Sequence, residues 1–242
     1  MNAKKSNNSI FVQNSEISVF MANVNQGSQQ NNLMRKVFIV GAGGFGREMF
    51  YMAQKCIGFG SDFIIEGYYD DDPSALSRYD GYPAIIGDIN ALLSKRELSL
   101  FLAIGENQRR RDIVSALEGA DHEYITLRHK SAVIPATSRI GKGCFIGPQV
   151  SVGVDSSLGC FNIIQTGVVI GHDTVIKDYV RVDNYAVVVA NCLLDELCTV
   201  HSAAVVNGGV HVSEQATVGA NSFVVRDVPA GVTVFGNPAR RL

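Results

Sequence analysis

Ile164-Gln165-Thr166-Gly167-Val168-Val169-Ile170-Gly171-His172-Asp173-Thr174-Val175-Ile176 returns an isoleucine at every sixth residue. The period runs on in both directions without a gap. Ile134, Ile140, Ile146, Val152 and Leu158 precede this stretch, and Val182, Val188, Leu194, Val200, Val206, Val212, Val218 and Val224 follow it. Four places after each aliphatic residue stands mostly a small one: Ser138, Cys144, Ser156, Thr174, Ala186, Cys192, Cys198, Ala204, Ala216 and Ser222. An amphipathic helix repeats near 3.6 residues and a half-buried strand near 2, so a period of six fits neither. It fits a coil of three short strands per turn, each sending one aliphatic and one small side chain into a narrow core. That coil is a left-handed parallel β-helix. The hexads predict about five turns over residues 132 to about 228, with Val228 to Phe235 closing the apolar end.

The chain has 242 residues, 46% of them hydrophobic and 18% charged, which suits a globular protein with room for two modest domains. A formal net charge of −2 leaves no basic footprint for nucleic acid or an anionic membrane. The longest apolar stretches, such as Tyr185 to Leu194, are too short to span a bilayer and lie inside the hexad register. Five cysteines in no metal-ligand spacing imply neither a disulfide framework nor a metal site. A reduced, cytoplasmic protein is expected. Cys144, Cys192 and Cys198 take the small inward position, where a thiol is read as a compact apolar filler. Residues 1–33 are rich in Asn, Gln and Ser without an apolar period and are read as a disordered polar leader.

Residues 34–130 read as an α/β head. An apolar strand from Lys36 to Val40 runs into Gly41-Ala42-Gly43-Gly44-Phe45-Gly46 and then into a helix from Arg47 to Lys55. A glycine fingerprint between strand and helix lets backbone N–H groups approach a phosphate. A second strand, Phe63 to Tyr69, ends in Asp70-Asp71, whose carboxylates are placed to accept from a ribose or a base. Further strands are predicted at Leu100 to Ile104 and Tyr124 to Leu127, with a helix from Gln108 to Leu117 between them. About 95 residues supply half of a Rossmann-type fold on a parallel sheet. That is too little for a nicotinamide dinucleotide and enough for one nucleotide diphosphate.

Residues 131–242 read as the β-helix. Residues 18 apart stack on one edge of the prism, and the second to fourth residues of each hexad form its outward corners. His172 and Asp173 occupy such a corner, with Ala190 and Asn191 one turn above and Gly208 and Gly209 two turns above. A column of small residues over an imidazole leaves room for a long thin group. Acyl transfer needs a base for the nucleophile's proton and a donor for the oxyanion. His172 suits the first role, oriented by Asp173. The N–H of Gly171, or one on the next turn, suits the second. His201 stacks one turn above Asp183, and His211 has no acidic sequence neighbour, so both are weaker candidates.

At these residues the chain resembles the hexapeptide-repeat acyltransferases that carry a small nucleotide-binding head, such as sialic acid O-acetyltransferases and nucleotide-amino-sugar N-acetyltransferases. The resemblance spans Lys36 to Leu242. It rests on the head loop, Tyr69-Asp70-Asp71, Ala103-Ile104-Gly105-Glu106-Asn107, His129-Lys130-Ser131-Ala132, the hexads, Val169 to Asp173, and Gly236-Asn237-Pro238-Ala239-Arg240. It implies a homotrimer with active sites between subunits, acetyl-CoA as the acyl donor, and His172 with Asp173 as the catalytic pair. Acceptor contacts fall on Gly41, Gly43, Gly44, Phe45, Gly46, Asp70, Asp71, Gly105 and Asn107, and at two further positions on Gln165 and Arg181. Donor contacts fall on Gly171, Ala190, Asn191, Gly208 and Gly209. Four positions depart from the family's pattern. Phe45 stands where some members have histidine, Gln165 where they have asparagine, Arg181 where they have a second histidine, and His201 where glycine is common.

The activity expected is acetyl-CoA-dependent acetylation of a nucleotide-linked amino sugar for a cell-surface glycan. A sugar O-acetyltransferase uses the same base and coil and is the near alternative. A non-catalytic or zinc-binding β-helix is the distant one, disfavoured because no two histidines lie 18 apart.

Overall fold

A computed structural model describes residues 34–242; the polar leader assigned to 1–33 lies outside the described residues. The head is a five-stranded, all-parallel sheet of order β3-β2-β1-β4-β5. Its strands are β1 (Arg35–Val40), β2 (Phe63–Tyr69), β3 (Ile85–Gly87), β4 (Ser99–Leu102) and β5 (Glu123–Tyr124). Helix α1 (Gly44–Ala53) follows β1, and α2 (Asn107–Ala116) follows β4. The direction of winding reverses between β1 and β4, so the loops leaving both strands flank a topological switch point. Ligands of open α/β sheets bind there, outside the carboxyl ends of the strands.

The strand expected over Tyr124 to Leu127 divides in two. Glu123–Tyr124 pairs with β4 in the head, whereas Leu127–Arg128 pairs with Phe145–Ile146 of the coil. The chain thus passes from one sheet to the other through Ile125 and Thr126.

The second part is a left-handed β-helix with three faces. The first face stacks Arg139–Ile140, Ser157–Leu158, Val175–Ile176, Leu193–Leu194 and His211–Val212. The second stacks Phe145–Ile146, Ile163–Ile164, Arg181–Val182, Thr199–Val200 and Thr217–Val218. The third stacks Ser151–Val152, Val169–Ile170, Val187–Val188, Val205–Val206 and Phe223–Val224. All pairings are parallel and 18 residues apart, giving five turns. From Ile146 to Val224 every hexad aliphatic is buried in one core; Ile134 and Ile140, at the open end, pack against it from the edge. Val228, Val232 and Val234 cap the other end, while Phe235 turns outward. Thr233–Gly236 pairs with Thr217–Val218, and Ala239–Arg241 returns antiparallel to it.

Each corner is made by one residue in the left-handed region. These fall at every sixth position from Gly143 to Asn221, and only Gly143, Gly167 and Gly209 are glycine. A left-handed L-residue costs roughly 1–2 kcal/mol. The corner amide offsets this by donating to a carbonyl one turn below, as Asp173 does to Val154 (3.1 Å) and Asn191 to His172 (2.9 Å).

The small inward position does more than save space. Ser156 Oγ donates to the Gly171 carbonyl (2.9 Å) and Thr174 Oγ1 to the Val189 carbonyl (3.2 Å). Cys144 and Cys192 do the same through sulfur, each at 3.2 Å to Gly159 and Asn207. These two thiols are hydrogen-bonding groups, not the apolar filler the sequence suggests, because the Gly159 and Asn207 carbonyls fifteen residues ahead lie within their reach. Burial pushes the Cys144 thiol up to about 12, so it stays protonated.

The head rests on the second face of the coil. Phe145 and Ile163 share a core with Val37, Ile39, Met49 and Phe101. Arg110 of α2 is fully buried and donates to the carbonyls of Ile104 (2.7 Å), Phe161 (2.9 Å) and Tyr179 (3.1 Å) and to Asn107 Oδ1 (3.0 Å). Burial lowers its pKa to about 10, which still leaves it charged at neutral pH. No helix among the described residues is long and apolar enough to cross a membrane.

Candidate active site

Of the four glycines of the head loop, Gly41, Gly43 and Gly46 meet different surroundings. Gly41 has φ +100°, and a side chain there would lie 2.9 Å from the Ala103 carbonyl. A side chain at Gly46 would overlap the Gly41 carbonyl, whereas one at Gly43 would meet nothing within 4 Å. Gly41 and Gly46 therefore make the turn, and Gly43 leaves open space above it. The loop is held by Asp70, whose Oδ2 accepts from the Ala42 amide (2.5 Å) and Oδ1 from the Asp72 amide (2.8 Å). Asp71 instead accepts from the Ile89 amide (3.1 Å) and lies 3.5 Å from Arg109. Both carboxylates are thus engaged in ordering the loops around the switch point.

Two pockets open between this edge of the head and the second face. One, of about 280 Å³, is lined by Phe45, Glu48, Gly105, Ile163, Gln165 and Arg181. The other, of about 530 Å³, includes Gly105, Glu106, Arg181, Thr199, His201 and Gln215. Gly105 and Arg181 border both, so the two make one cleft. Four residues predicted to touch the acceptor, Phe45, Gly105, Gln165 and Arg181, come together in it. Asn107 borders it too but is otherwise occupied: its Nδ2 donates to the Leu197 (2.9 Å) and Cys198 (3.1 Å) carbonyls, and its Oδ1 accepts from Arg110. Its side chain pins the head to the coil.

His172 and Asp173 form the expected pair, with Nδ1 2.6 Å from Asp173 Oδ2 and the ring more than half exposed (57%). A carboxylate on Nδ1 fixes the neutral tautomer and leaves Nε2 as the open proton acceptor. The pair occupies the corner between the third and first faces, opposite the face that carries the head. Above it, Ala190, Asn191, Gly208 and Gly209 stack as predicted; the Gly209 amide bonds the Ala190 carbonyl (3.0 Å). The Gly171 amide is spent on the Val188 carbonyl (2.7 Å), which removes it as an oxyanion donor. The Ala190 amide, directly above Gly171, donates to no backbone carbonyl among the described residues.

Two more His–Asp pairs exist. Asp183, with a side chain only 6% exposed, accepts from Arg181 Nε (2.6 Å) and Nη2 (3.2 Å) and bonds His201 Nδ1 (2.9 Å). The burial of Asp183 makes this more than two residues stacked one turn apart. His211, without an acidic sequence neighbour, meets Asp195 through space (2.5 Å), together with Lys177. No cluster of three or more metal-ligating side chains occurs among the described residues.

Residues 36–117 match the model of the PglD N-terminal domain. Over 217 residues the chain is 28% identical to GDP-perosamine N-acetyltransferase of Escherichia coli O157:H7, covering 84% of this chain and 95% of that one. A solved structure of a perosamine N-acetyltransferase variant from Caulobacter crescentus, in complex with CoA and GDP-perosamine, superposes with a TM-score of 0.77. It is 28% identical, over 86% of this chain and 96% of that one. The acetyltransferase domain of PglB from Neisseria gonorrhoeae FA1090, in complex with acetyl coenzyme A, gives a TM-score of 0.77 at 27% identity. It covers 86% of this chain and all (100%) of that one. The fold and these likenesses define an acyltransferase. Its coil of hexad repeats follows a head that is similar to the PglD N-terminal domain.

Proposed function

We propose that this protein transfers the acetyl group of acetyl-CoA to the amine of a nucleotide-linked amino sugar, as a cytoplasmic homotrimer serving cell-surface glycan synthesis. The observation that carries the reading is the division of labour between two edges of one coil. A cleft beside a nucleotide-type switch point lies on one side, and an exposed His–Asp pair under a column of small residues lies opposite. GDP-perosamine, held by a relative of the same fold, is the first acceptor to try.

In this reaction the amine attacks the thioester carbonyl while His172 Nε2 takes its proton, and Asp173 stabilises the imidazolium. The carbonyl electron pair moves onto oxygen, where the Ala190 amide of the next turn is available to donate. Collapse of the intermediate breaks the C–S bond, and the CoA thiolate leaves.

One chain holds cleft and base on opposite edges, so the reaction needs two copies. The third face supports how they meet. Its outward side is a ladder of Val169, Val187, Val205 and Phe223 in strict register, flanked by exposed Tyr185 and Val189. An apolar strip of this kind calls for a protein partner. Three copies turning this face inward close a ring. The His172 edge of one copy then meets the edge of the next that carries Gln165, His201 and the cleft.

Thiol release from acetyl-CoA is the test, against GDP-perosamine, other nucleotide-linked amino sugars, and hydroxyl-only analogues. Turnover is expected with an amine, and His172→Ala should lower it ~10²–10⁴-fold. Turnover confined to hydroxyl acceptors would make the protein an O-acetyltransferase. Absence of release with every acceptor would leave a non-catalytic β-helix.

A further inference from the structure

We infer that His201, held by Asp183, is a donor-binding residue that hydrogen-bonds an amide of the acyl donor's pantetheine arm from the wall opposite the small-residue column. The inference rests on the intersubunit site just proposed. It begins with Asp183, a nearly buried carboxylate that three hydrogen bonds commit to two side chains. Arg181 uses Nε and Nη2 on it, so its charge is balanced locally. His201 uses Nδ1 on the carboxylate, so the tautomer of its neutral form that fits carries the proton there and presents Nε2 as an acceptor. The ring is 41% exposed and borders the larger pocket of the cleft. An oriented histidine backed by a buried carboxylate is therefore aimed at a space the mechanism has not used.

Height along the coil decides what occupies that space. Strands on one face climb about 4.8 Å per turn of 18 residues, so residue number measures height. In a ring of copies with parallel coils, equal heights face each other. His172 lies midway in height between Gln165 and Arg181, the pair in the smaller pocket. That level belongs to the acceptor and the reacting carbonyl. His201 lies higher, between the corner residues Asn191 and Gly209, and so faces the small-residue column of the neighbouring copy. A thin arm rising from the thioester along that column passes His201 with its amide N–H groups, to which Nε2 can accept. Asp183 acts through His201 and is a positioning residue.

Steady-state kinetics of His201→Ala and His201→Gln, with acetyl-CoA and with S-acetylpantetheine as donors, test this. Loss of one hydrogen bond should raise the KM of both donors about 5–10-fold in His201→Ala. The kcat and the acceptor KM should change by less than about twofold, and His201→Gln should recover part of the donor KM. An effect seen with acetyl-CoA alone would mean that His201 binds the nucleotide end, which overturns the inference. So would an unchanged donor KM, or a collapse of kcat matching that of His172→Ala. Wild-type protein assayed in parallel separates the failures: if it transfers no acetyl group, the reading under Proposed function falls. If it turns over normally while His201 proves silent, only this inference falls.

Discussion

Gly41, Gly43 and Gly46 look alike in the sequence, yet only the space around each shows what it is for. A branched side chain at Gly43 enters open space above the loop, where an acceptor's phosphate has to approach. Gly43→Val should keep the thermal midpoint within a few degrees, and calorimetric titration should show acceptor affinity reduced at least ~10-fold with acetyl-CoA binding kept. Gly46→Ala drives a carbon into the Gly41 carbonyl and should prevent soluble expression. Unchanged acceptor affinity in Gly43→Val would show that the head is structural. His172 and Asp173 were legible as a pair because they are neighbours in sequence. Asp183 was not legible as a buried hub, since a carboxylate at an outward corner of the hexad ordinarily faces solvent. His211 found Asp195 sixteen residues away, where no local pattern points.

Among the elements, the coil was the most legible, since a six-residue period leaves little freedom once three faces must share one core. Fourteen aliphatic positions in succession, Ile146 to Val224, are buried as the period requires. The hydrogen bonds of the small position were hidden, because they depend on a carbonyl fifteen residues ahead. Thr174 separates the two roles. It is fully buried, donates to Val189 and accepts from the Cys192 amide at 3.4 Å. Thr174→Val keeps the volume and removes the donor, leaving the Val189 carbonyl unpaired, so stability should fall by ~1–3 kcal/mol. Thr174→Ser keeps the hydroxyl and should lose less. Equal losses in denaturant melts of the two variants would mean that packing alone governs the position. The third strand of the head, Ile85–Gly87, escaped the sequence reading because three residues are too short for a period to show.

The whole molecule depends on contacts between distant segments, and these were the least legible. Arg110 is the middle of three consecutive arginines, yet its guanidinium is buried and tied to coil carbonyls at Phe161 and Tyr179. That lock holds the cleft on one side of the prism and keeps it from the His172 edge of the same chain. The proposed sharing of a site between copies then has a direct test. A His172→Ala subunit keeps an intact head and lacks the base, whereas a Gly43→Val subunit keeps the base and lacks acceptor binding. Each homotrimer should be nearly inactive. In every trimer that contains both variants, about one in three of the interfaces joins an intact head to an intact His172. Co-expression with two different affinity tags, followed by sequential purification, isolates mixed trimers for the thiol-release assay. Activity returning toward that fraction of wild type would establish the shared site. No return above the two parents would mean that each chain works alone, with its head reaching its own His172 by a movement that breaks the Arg110 lock.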